Sequence, residues 1–339
     1  MHESPRATSR LLVWSIHDEK PGHVNQLRGL IRALGDRLDI EVHALSPPSV
    51  VELAFDLLGK RFRRGEALPR PDLILGAGHA THLSILTAGR ATGAKTVVLM
   101  KPTLPRSWFD LCIIPAHDVG VDFRGVARPS KTQGVPPNQS ATIITQGVLN
   151  AVVPSCVQEE HRGLMLIGGT SNHYEWSSDD ILAHVVEIVA REPAIAWTLT
   201  TSRRTPGELV QQLQQLACAN LVVFRGEETS PDWLPAQLRR AARVWVTEDS
   251  VSMVYEALTA GGAVGLLPVP RKSNTRVSRG VEGLLAEGWV TSFDAWQTSG
   301  TMPRPPGTLS EADRCAAALV ERWFADRVAQ QHTPAQKAA

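Results

Sequence analysis

Ten consecutive residues hold two histidines, two acids, a lysine and two amides: His17-Asp18-Glu19-Lys20-Pro21-Gly22-His23-Val24-Asn25-Gln26. An imidazole titrates close to neutral pH, and a neighbouring carboxylate can orient it. Such a group is suited to taking a proton from a hydroxyl. His23 is the candidate base, His17 the alternative, and Asp18 the assisting acid. A polar helix cap with Pro21 near its first position accounts for each of these residues taken singly. Further on, Gly76-Ala77-Gly78-His79 and Met100-Lys101-Pro102 add polar groups. Lys20, Asn25, Gln26, Gly78, His79 and Lys101 are candidates to line the mouth of the same site, and Lys101 could neutralise an anionic group.

A second set lies in the other half. Ile167-Gly168-Gly169-Thr170-Ser171-Asn172 follows an apolar run, and its glycines would let backbone amides approach an anion while the hydroxyls add donors. It is neither a Walker A loop nor a dinucleotide fingerprint, and an ordinary strand-to-helix turn explains it equally. Thr200-Thr201-Ser202-Arg203-Arg204-Thr205-Pro206 ends the next apolar run. Planar guanidinium forks there, accompanied by four hydroxyls, favour a phosphate site over a solvated basic turn before a helix capped at Thr205. The third piece is Asp249-Ser250-Val251-Ser252-Met253 with Glu256. Asp249 or Ser250 can serve as a helix cap, and Glu256 can accept from the hydroxyls of a ribose.

The elements that position these residues follow from the apolar pattern. Leu11 to Ile16, Ile40 to Leu45, Leu73 to Leu75, Thr96 to Met100, Leu111 to Ile114 and Thr142 to Thr145 predict strands. Val24 to Leu38 and Ser49 to Leu58 predict helices. Val119 to Pro137, rich in Gly, Pro and Arg, reads as a loop, and Gln146 to Gly163 as a linker. A second series then predicts strands at Leu164 to Ile167, Ala196 to Thr200, Leu221 to Phe224, Val244 to Thr247 and Val264 to Leu267. Helices fit at Asp179 to Ala190, Gly207 to Ala217, Leu234 to Ala242, Ser250 to Ala260 and Ser273 to Ala286, and a terminal helix at Glu311 to Ala329. Short, nearly continuous apolar runs suit parallel strands covered on both faces. The expected fold class is α/β, with two Rossmann-like domains: 10–150, 160–300, and a helix at 308–330 returning to the first. Two such units create an interdomain cleft, where ligands of α/β proteins bind.

Composition bounds the rest. The 339 residues carry 35 Lys+Arg against 34 Asp+Glu, a net charge of +1, which disfavours a duplex-DNA binder. The nine tryptophans are not interleaved with basic residues, so no nucleic-acid partner is expected. Cys112, Cys156, Cys218 and Cys315 are too scattered for a zinc site or a disulfide framework, and no metal or cofactor is expected. The apolar stretch from Leu11 to Ile16 is too short for a signal-peptide core, and no run reaches the length of a membrane span. The expectation is a cytoplasmic protein, with peripheral membrane contact left open.

Taken together, the His17-to-Gln26 junction, Gly76-Ala77-Gly78-His79, Leu99-Met100-Lys101-Pro102, Thr201-Ser202-Arg203-Arg204-Thr205 and Asp249-Ser250-Val251-Ser252-Met253 with Glu256 resemble the family of the plant elongated-mitochondria fission factor. The resemblance covers roughly residues 10–295. It implies a GT-B-like fold, and for the bacterial members a glycosyltransferase activity. The plant member is an adaptor that recruits a dynamin-like protein, which makes a non-catalytic adaptor with a protein partner the alternative. One departure is Ser230-Pro231-Asp232, where relatives carry Asn-Pro-Tyr. More distantly, the second half is similar to the UDP-N-acetylglucosamine transferase of peptidoglycan synthesis. Glu256, Gly261 and Pro268 match its ribose-binding pattern, and Gly168-Gly169-Thr170-Ser171 its phosphate loop. Its N-terminal glycine element is met only at Gly22-His23.

The resulting expectation is a metal-independent glycosyltransferase with a nucleotide-diphosphate sugar as donor, UDP-linked, and an acceptor the sequence does not name. Gly168, Gly169, Thr170, Ser171, Asn172, Ser202, Arg203, Arg204, Asp249, Ser250, Ser252, Met253 and Glu256 form the nucleotide-sugar side. His23, His17 and Asp18 form the catalytic side, and Lys20, Asn25, Gln26, Gly78, His79 and Lys101 the acceptor side. A nucleotide-sugar epimerase of the same fold remains a further alternative.

Overall fold

The computed structural model describes residues 10–119, 141–272 and 276–331. The chain divides into two compact units, Met1–Ala151 with Glu311–Ala339, and Val152–Ser310.

In the first unit the strands are β1 (Leu11–His17), β2 (Ile40–Leu45), β3 (Leu73–Ala77), β4 (Lys95–Leu99), β5 (Leu111–Pro115) and β6 (Ala141–Thr145). They form one wholly parallel sheet in the order β2-β1-β3-β4-β5-β6. Helices α1 (Pro21–Gly35), α2 (Val50–Gly59), α3 (His82–Thr92) and α4 (Ala116–Val119) lie between the strands. Alternate side chains of each strand face opposite ways, so one strand feeds two cores. Val13, Leu73, Leu75, Val97 and Ile113 pack with Leu27, Leu30 and Leu34 of α1. Trp14, Ile16, Ile74, Val98 and Cys112 pack with Ile85 and Ala88 of α3 and with Phe62. Both faces are covered, which is why these strands read as unbroken apolar runs.

In the second unit the strands are β7 (Glu159–Ile167), β8 (Ala196–Thr201), β9 (Leu221–Phe224), β10 (Ala241–Thr247), β11 (Ala263–Leu267) and β12 (Thr291–Ser292), again all parallel, in the order β12-β11-β10-β7-β8-β9. Helices α5 (Ser178–Arg191), α6 (Gly207–Gln214), α7 (Trp233–Arg240), α8 (Val251–Ala260), α9 (Arg276–Ala286) and α10 (Phe293–Ser299) connect or follow them. Ile181, Val185 and Ile188 of α5 and Leu209 and Leu213 of α6 pack on Met165, Trp197, Leu199 and Trp245. Trp245 also meets Phe293 and Trp296 of α10, with ring centroids 5.6 and 5.2 Å away. The chain ends in α11 (Glu311–Trp323) and α12 (Ala325–Gln331), which belong to the first unit. Cys315, Ala316 and Leu319 of α11 join the core under α1, and Arg32 donates to Asp313 at 3.0 Å.

Several boundaries differ from the sequence reading. The stretch read as linker contains the start of β7. Its first residues, Glu159 to Arg162, project from the core and break the apolar signal. Strand β10 begins at Ala241, inside the helix expected from Leu234 to Ala242, because Ala241 and Ala242 are strong helix formers by type yet are buried as strand residues. Helix α1 starts at Pro21, before Val24. The terminal helix is interrupted at Phe324. Helices α3, α4 and α10 and strand β12 are additions. The expected loop from Val119 to Pro137 lies outside the described residues apart from Val119, as do positions 273–275 of the expected helix at Ser273.

Candidate functional site

Each sheet has one place where the chain reverses its direction of travel across the strands, and open α/β sheets bind ligands at the strand C-termini there. In the first unit that place lies between β1 and β3; in the second it lies between β7 and β10. Most of the residues singled out from the sequence fall at these two places; Lys101 follows β4, and Ser202, Arg203 and Arg204 follow β8, each one strand further along.

Strand β1 ends at His17, and a tight turn leads into α1. Glu19 adopts a left-handed φ of 61° and its N–H donates to His17 Nδ1 at 3.3 Å. The turn swings Asp18 towards α1, where Asp18 Oδ1 and His23 Nδ1 lie 2.6 Å apart. Both side chains are largely shielded from solvent. An ionised carboxylate accepts only, so this contact holds the proton on Nδ1 and leaves Nε2 as the basic nitrogen. Burial works to raise the Asp18 pKa. The His23 hydrogen bond, the Lys20 backbone N–H and the Lys20 ammonium at 3.5 Å outweigh it, and the net direction is downward.

The neighbouring strand makes room for the pair. Gly78, just past β3, has φ 99°, and a Cβ there would stand 2.7 Å from His23 Nδ1 and 2.9 Å from Asp18 Oδ2. Gly78 O accepts from the Thr81 hydroxyl at 2.7 Å, which pins the turn. Gln26 is buried on α1, and its amide lies 3.4 Å from Met100 Sδ; Met100 is itself at a left-handed φ of 71° past β4. Asn25 is half-buried on α1, whereas Lys101 and His79 are exposed. His82 is one polar group the sequence reading did not weigh. It is buried, accepts from the Thr103 N–H, and sits edge-on to His79 with ring centroids 5.7 Å apart. Burial, with a smaller contribution from His79, pushes its pKa down to about 4.

The second unit shows a different economy. The Gly168 N–H donates to Thr247 Oγ1 at 2.8 Å, Gly169 N–H to Asp249 Oδ2 at 3.1 Å, and Thr170 N–H to Arg204 O at 3.1 Å. These three amides therefore serve the protein itself, which corrects the expectation that they cradle a phosphate. The glycines are needed for another reason. A Cβ at Gly168 would meet the Asp249 carboxylate at 2.3 Å, and one at Gly169 the Arg204 carbonyl at 2.0 Å. Arg204 is likewise engaged: its Nη1 lies 2.8 Å from Asp249 Oδ2 and donates to Gly169 O and Thr170 O at 3.0 and 3.2 Å. Asp249, its side chain 0% exposed, is a latch between loops and not a helix cap. Thr205, expected to cap α6, donates to Ile167 O and Gly168 O and accepts from Ser202 N–H at 2.9 Å. The Ser202 hydroxyl donates to Gly168 O at 3.0 Å.

What faces outward is a smaller set. Arg203 is exposed and makes no hydrogen bond or ion pair among the described residues. Thr170, Asn172 and Ser252 are exposed, and Ser171, Met253 and Glu256 half-buried. Ser250 takes the N-cap position of α8 without a side-chain hydrogen bond to its first turn. Glu248 lies 3.3 Å from Arg271, and burial raises its pKa against that pairing. Among the described residues no cluster of three or more His, Cys, Asp or Glu side chains could hold a metal ion. No helix among them is long and apolar enough to cross a membrane.

Two successive Rossmann-like units, each gathering polar side chains at its switch point, define a fold class that solved structures share. The chain is similar to the UDP-N-acetylglucosamine 2-epimerase of Methanocaldococcus jannaschii, with a TM-score of 0.53 and 12% identity over 92% of this chain and 100% of that one. It is similar also to a protein assigned as a UDP-N-acetylglucosamine 2-epimerase from Listeria monocytogenes, with a TM-score of 0.55 and 14% identity over 93% and 97%. At such identities the likeness shows the fold, of the GT-B kind. Residues 21–323 match the mitochondrial fission ELM1 family model, and the chain belongs to that family. A relative, the uncharacterized protein RP120 of Rickettsia prowazekii (strain Madrid E), is 22% identical over 319 residues, covering 83% of this chain and 90% of its own.

Proposed function

We propose that the chain is a nucleotide-sugar enzyme, a glycosyltransferase that moves a sugar from a nucleoside diphosphate, UDP-linked, to a hydroxyl acceptor. The observation that carries this reading is the Asp18–His23 pair, 2.6 Å apart at the switch point of its sheet. His23 Nε2 takes the acceptor's hydroxyl proton as that oxygen bonds to the anomeric carbon. The bond from this carbon to the diphosphate oxygen breaks, and the diphosphate leaves with the electron pair. Asp18 holds the imidazole in the required tautomer and stabilises the imidazolium that forms.

The leaving group needs positive charge. Arg203 supplies a guanidinium fork, and the first amides of α8, which no side chain caps, add the positive end of a helix. Glu256 accepts from ribose hydroxyls, while Ser171, Asn172 and Ser252 add donors around the phosphates. This division leaves Arg204 and Asp249 to hold the loops. Removing one donor to a developing anion costs about 10²–10³ in rate.

A second reading, epimerisation of the sugar on the nucleotide, is supported by Glu248, an acid whose burial favours its protonated form beside the same loops. The structural neighbours are named for that reaction. Titration calorimetry with UDP-, GDP-, ADP- and CMP-sugars tests the shared core of both readings. Binding of a UDP-sugar that weakens in Arg203→Ala and Glu256→Ala is expected. Failure of every nucleotide sugar to bind refutes the enzyme. Incubation with the UDP-sugar alone then separates the two: a transferase leaves the sugar's configuration unchanged, and an epimerase does not.

A further inference from the structure

Helix α2 is built inside out. Its inward residues are Leu53 and Asp56, the latter only 1% exposed. Asp56 is paired with Arg63 at 3.4 Å and accepts the Arg63 backbone N–H at 3.3 Å. The outward arc holds Val50, Val51, Ala54, Phe55, Leu57 and Leu58, and no charged residue interrupts it. Val50 and Leu58 are each 85% exposed and Phe55 56%. At 100° per residue these six positions sweep about 160° of the helix surface. Scattered exposed apolar side chains are ordinary, but a continuous arc on one helix marks a contact surface. Leu83 on α3, the helix packed beside α2, is a further exposed apolar residue.

Charge identifies what covers it. Directly after α2 the chain reads Lys60-Arg61-Phe62-Arg63-Arg64, four cations in five residues. Phe62 turns into the core, and all four cations are exposed. Arg63 and Arg64 are engaged by Asp56 and by Glu52 at 3.2 Å. The side chains of Lys60 and Arg61 make no hydrogen bond or ion pair among the described residues. An apolar helical face with a cationic border is the pattern of an interfacial helix, which seats its apolar side chains at the acyl boundary and its cations among anionic headgroups. A second copy of this chain would bring the same cations to the contact, and so would account for the apolar arc but not for the unpaired cations at its end.

We propose that the first unit docks on an anionic lipid surface through the outer face of α2, with Lys60 and Arg61 on the headgroups. This inference rests on neither catalytic reading. The capping box, in which Ser49 and Glu52 satisfy each other's backbone N–H, holds the helix in place without the membrane. Docking would bring the chain to lipid-linked or membrane-borne hydroxyl compounds.

Vesicle flotation with the full chain tests it, using phosphatidylcholine alone and phosphatidylcholine with about 30% phosphatidylglycerol. Binding to the anionic vesicles, weakened by salt, is expected. Because each cation near the surface is worth about fivefold in affinity, Lys60→Glu with Arg61→Glu should cost twentyfold or more. Phe55→Ser with Leu58→Ser should abolish binding. All four positions are exposed, so the fold should be retained, and thermal melting of each variant checks this. Equal binding to neutral vesicles, unchanged binding by either double variant, or no binding at all overturns the proposal. So does a self-association by wild type that Phe55→Ser removes, since that assigns the face to a second copy.

Discussion

Gly78→Ala should separate the Asp18–His23 pair without touching either residue. Two effects act together. At φ 99° and ψ 148° the backbone of Gly78 is in a region that residues with a Cβ rarely enter, a strain of about 1–3 kcal/mol. The new methyl would also stand 2.7 Å from His23 Nδ1 and 2.9 Å from Asp18 Oδ2. An ordinary contact is roughly 3.5 Å, so the pair must retreat by more than half an ångström. A 2.6 Å contact does not survive that displacement as a well-formed hydrogen bond. Asp18 then loses the main influence lowering its pKa, and burial, which acts upwards, prevails. Carboxyl-carbon NMR of Asp18 should show it titrating at higher pH in Gly78→Ala. Nitrogen shifts of His23 should show the Nδ1–H tautomer depleted. Asp18→Asn should deplete that tautomer without the backbone strain. If the pair orients the base, turnover falls about a hundredfold or more in both variants. An unchanged Asp18 titration in Gly78→Ala refutes the steric argument. Full turnover with the tautomer lost refutes the role of the pair.

The arginine pair should divide cleanly. Arg203→Ala should change stability by less than about 0.5 kcal/mol while weakening nucleotide-sugar affinity, and Arg204→Ala should cost about 1–2 kcal/mol because Asp249 loses its partner. Arg204 is partly exposed, so solvent screens the pair and limits that loss. Denaturant melts with calorimetry on both variants check this, and the reverse pattern refutes it. Thr205→Val removes a hydroxyl that donates to the carbonyls of Ile167 and Gly168, and should lower stability by about 1–2 kcal/mol in the same melts. His82, with a pKa near 4 when folded against 6.5 ordinarily, stays neutral while the unfolded chain takes up a proton. Stability is therefore complete above about pH 6.5 and declines as pH falls towards 4, by up to about 3 kcal/mol. His82→Phe should flatten that decline in urea titrations run at several pH values.

The strands at the centre of each sheet were legible because both their faces are apolar. Leu73-Ile74-Leu75 and Val264-Gly265-Leu266-Leu267 can only be buried strands once they alternate with amphipathic segments. The edges were less so. Glu159 to Arg162 are strand residues whose side chains face outward, and hydropathy cannot separate them from a linker. At the first unit's switch point, residue type singled out the His17-to-Gln26 turn, and the fold brings Asp18 and His23, five residues apart across a strand-to-helix junction, into contact. It could not assign the glycines. Gly168-Gly169-Thr170 looks like an anion cradle, yet its three amides are taken in turn by Thr247, Asp249 and the Arg204 carbonyl, all distant in sequence. Whether a glycine admits a ligand or a neighbouring loop depends on what arrives from another strand, and periodicity does not encode that.

The two switch points use the same device to opposite ends. In each, a glycine past one strand admits a carboxylate carried by the loop after the neighbouring strand: Gly78 admits Asp18, and Gly168 admits Asp249. Around Asp249 the cation is Arg204, which stays charged at any physiological pH and also donates to two loop carbonyls. That arrangement can only hold loops together. Around Asp18 the partner is an imidazole, which can lose and regain a proton near neutral pH and keeps a second nitrogen outside the pair. Lys20 adds only an exposed ammonium, 3.5 Å from the other carboxylate oxygen. Exchange of the partners should exchange the roles. His23→Arg should preserve or raise stability by completing a permanent ion pair, yet abolish any proton transfer at this turn. A His23→Arg chain that melts normally and still turns over would place the base elsewhere.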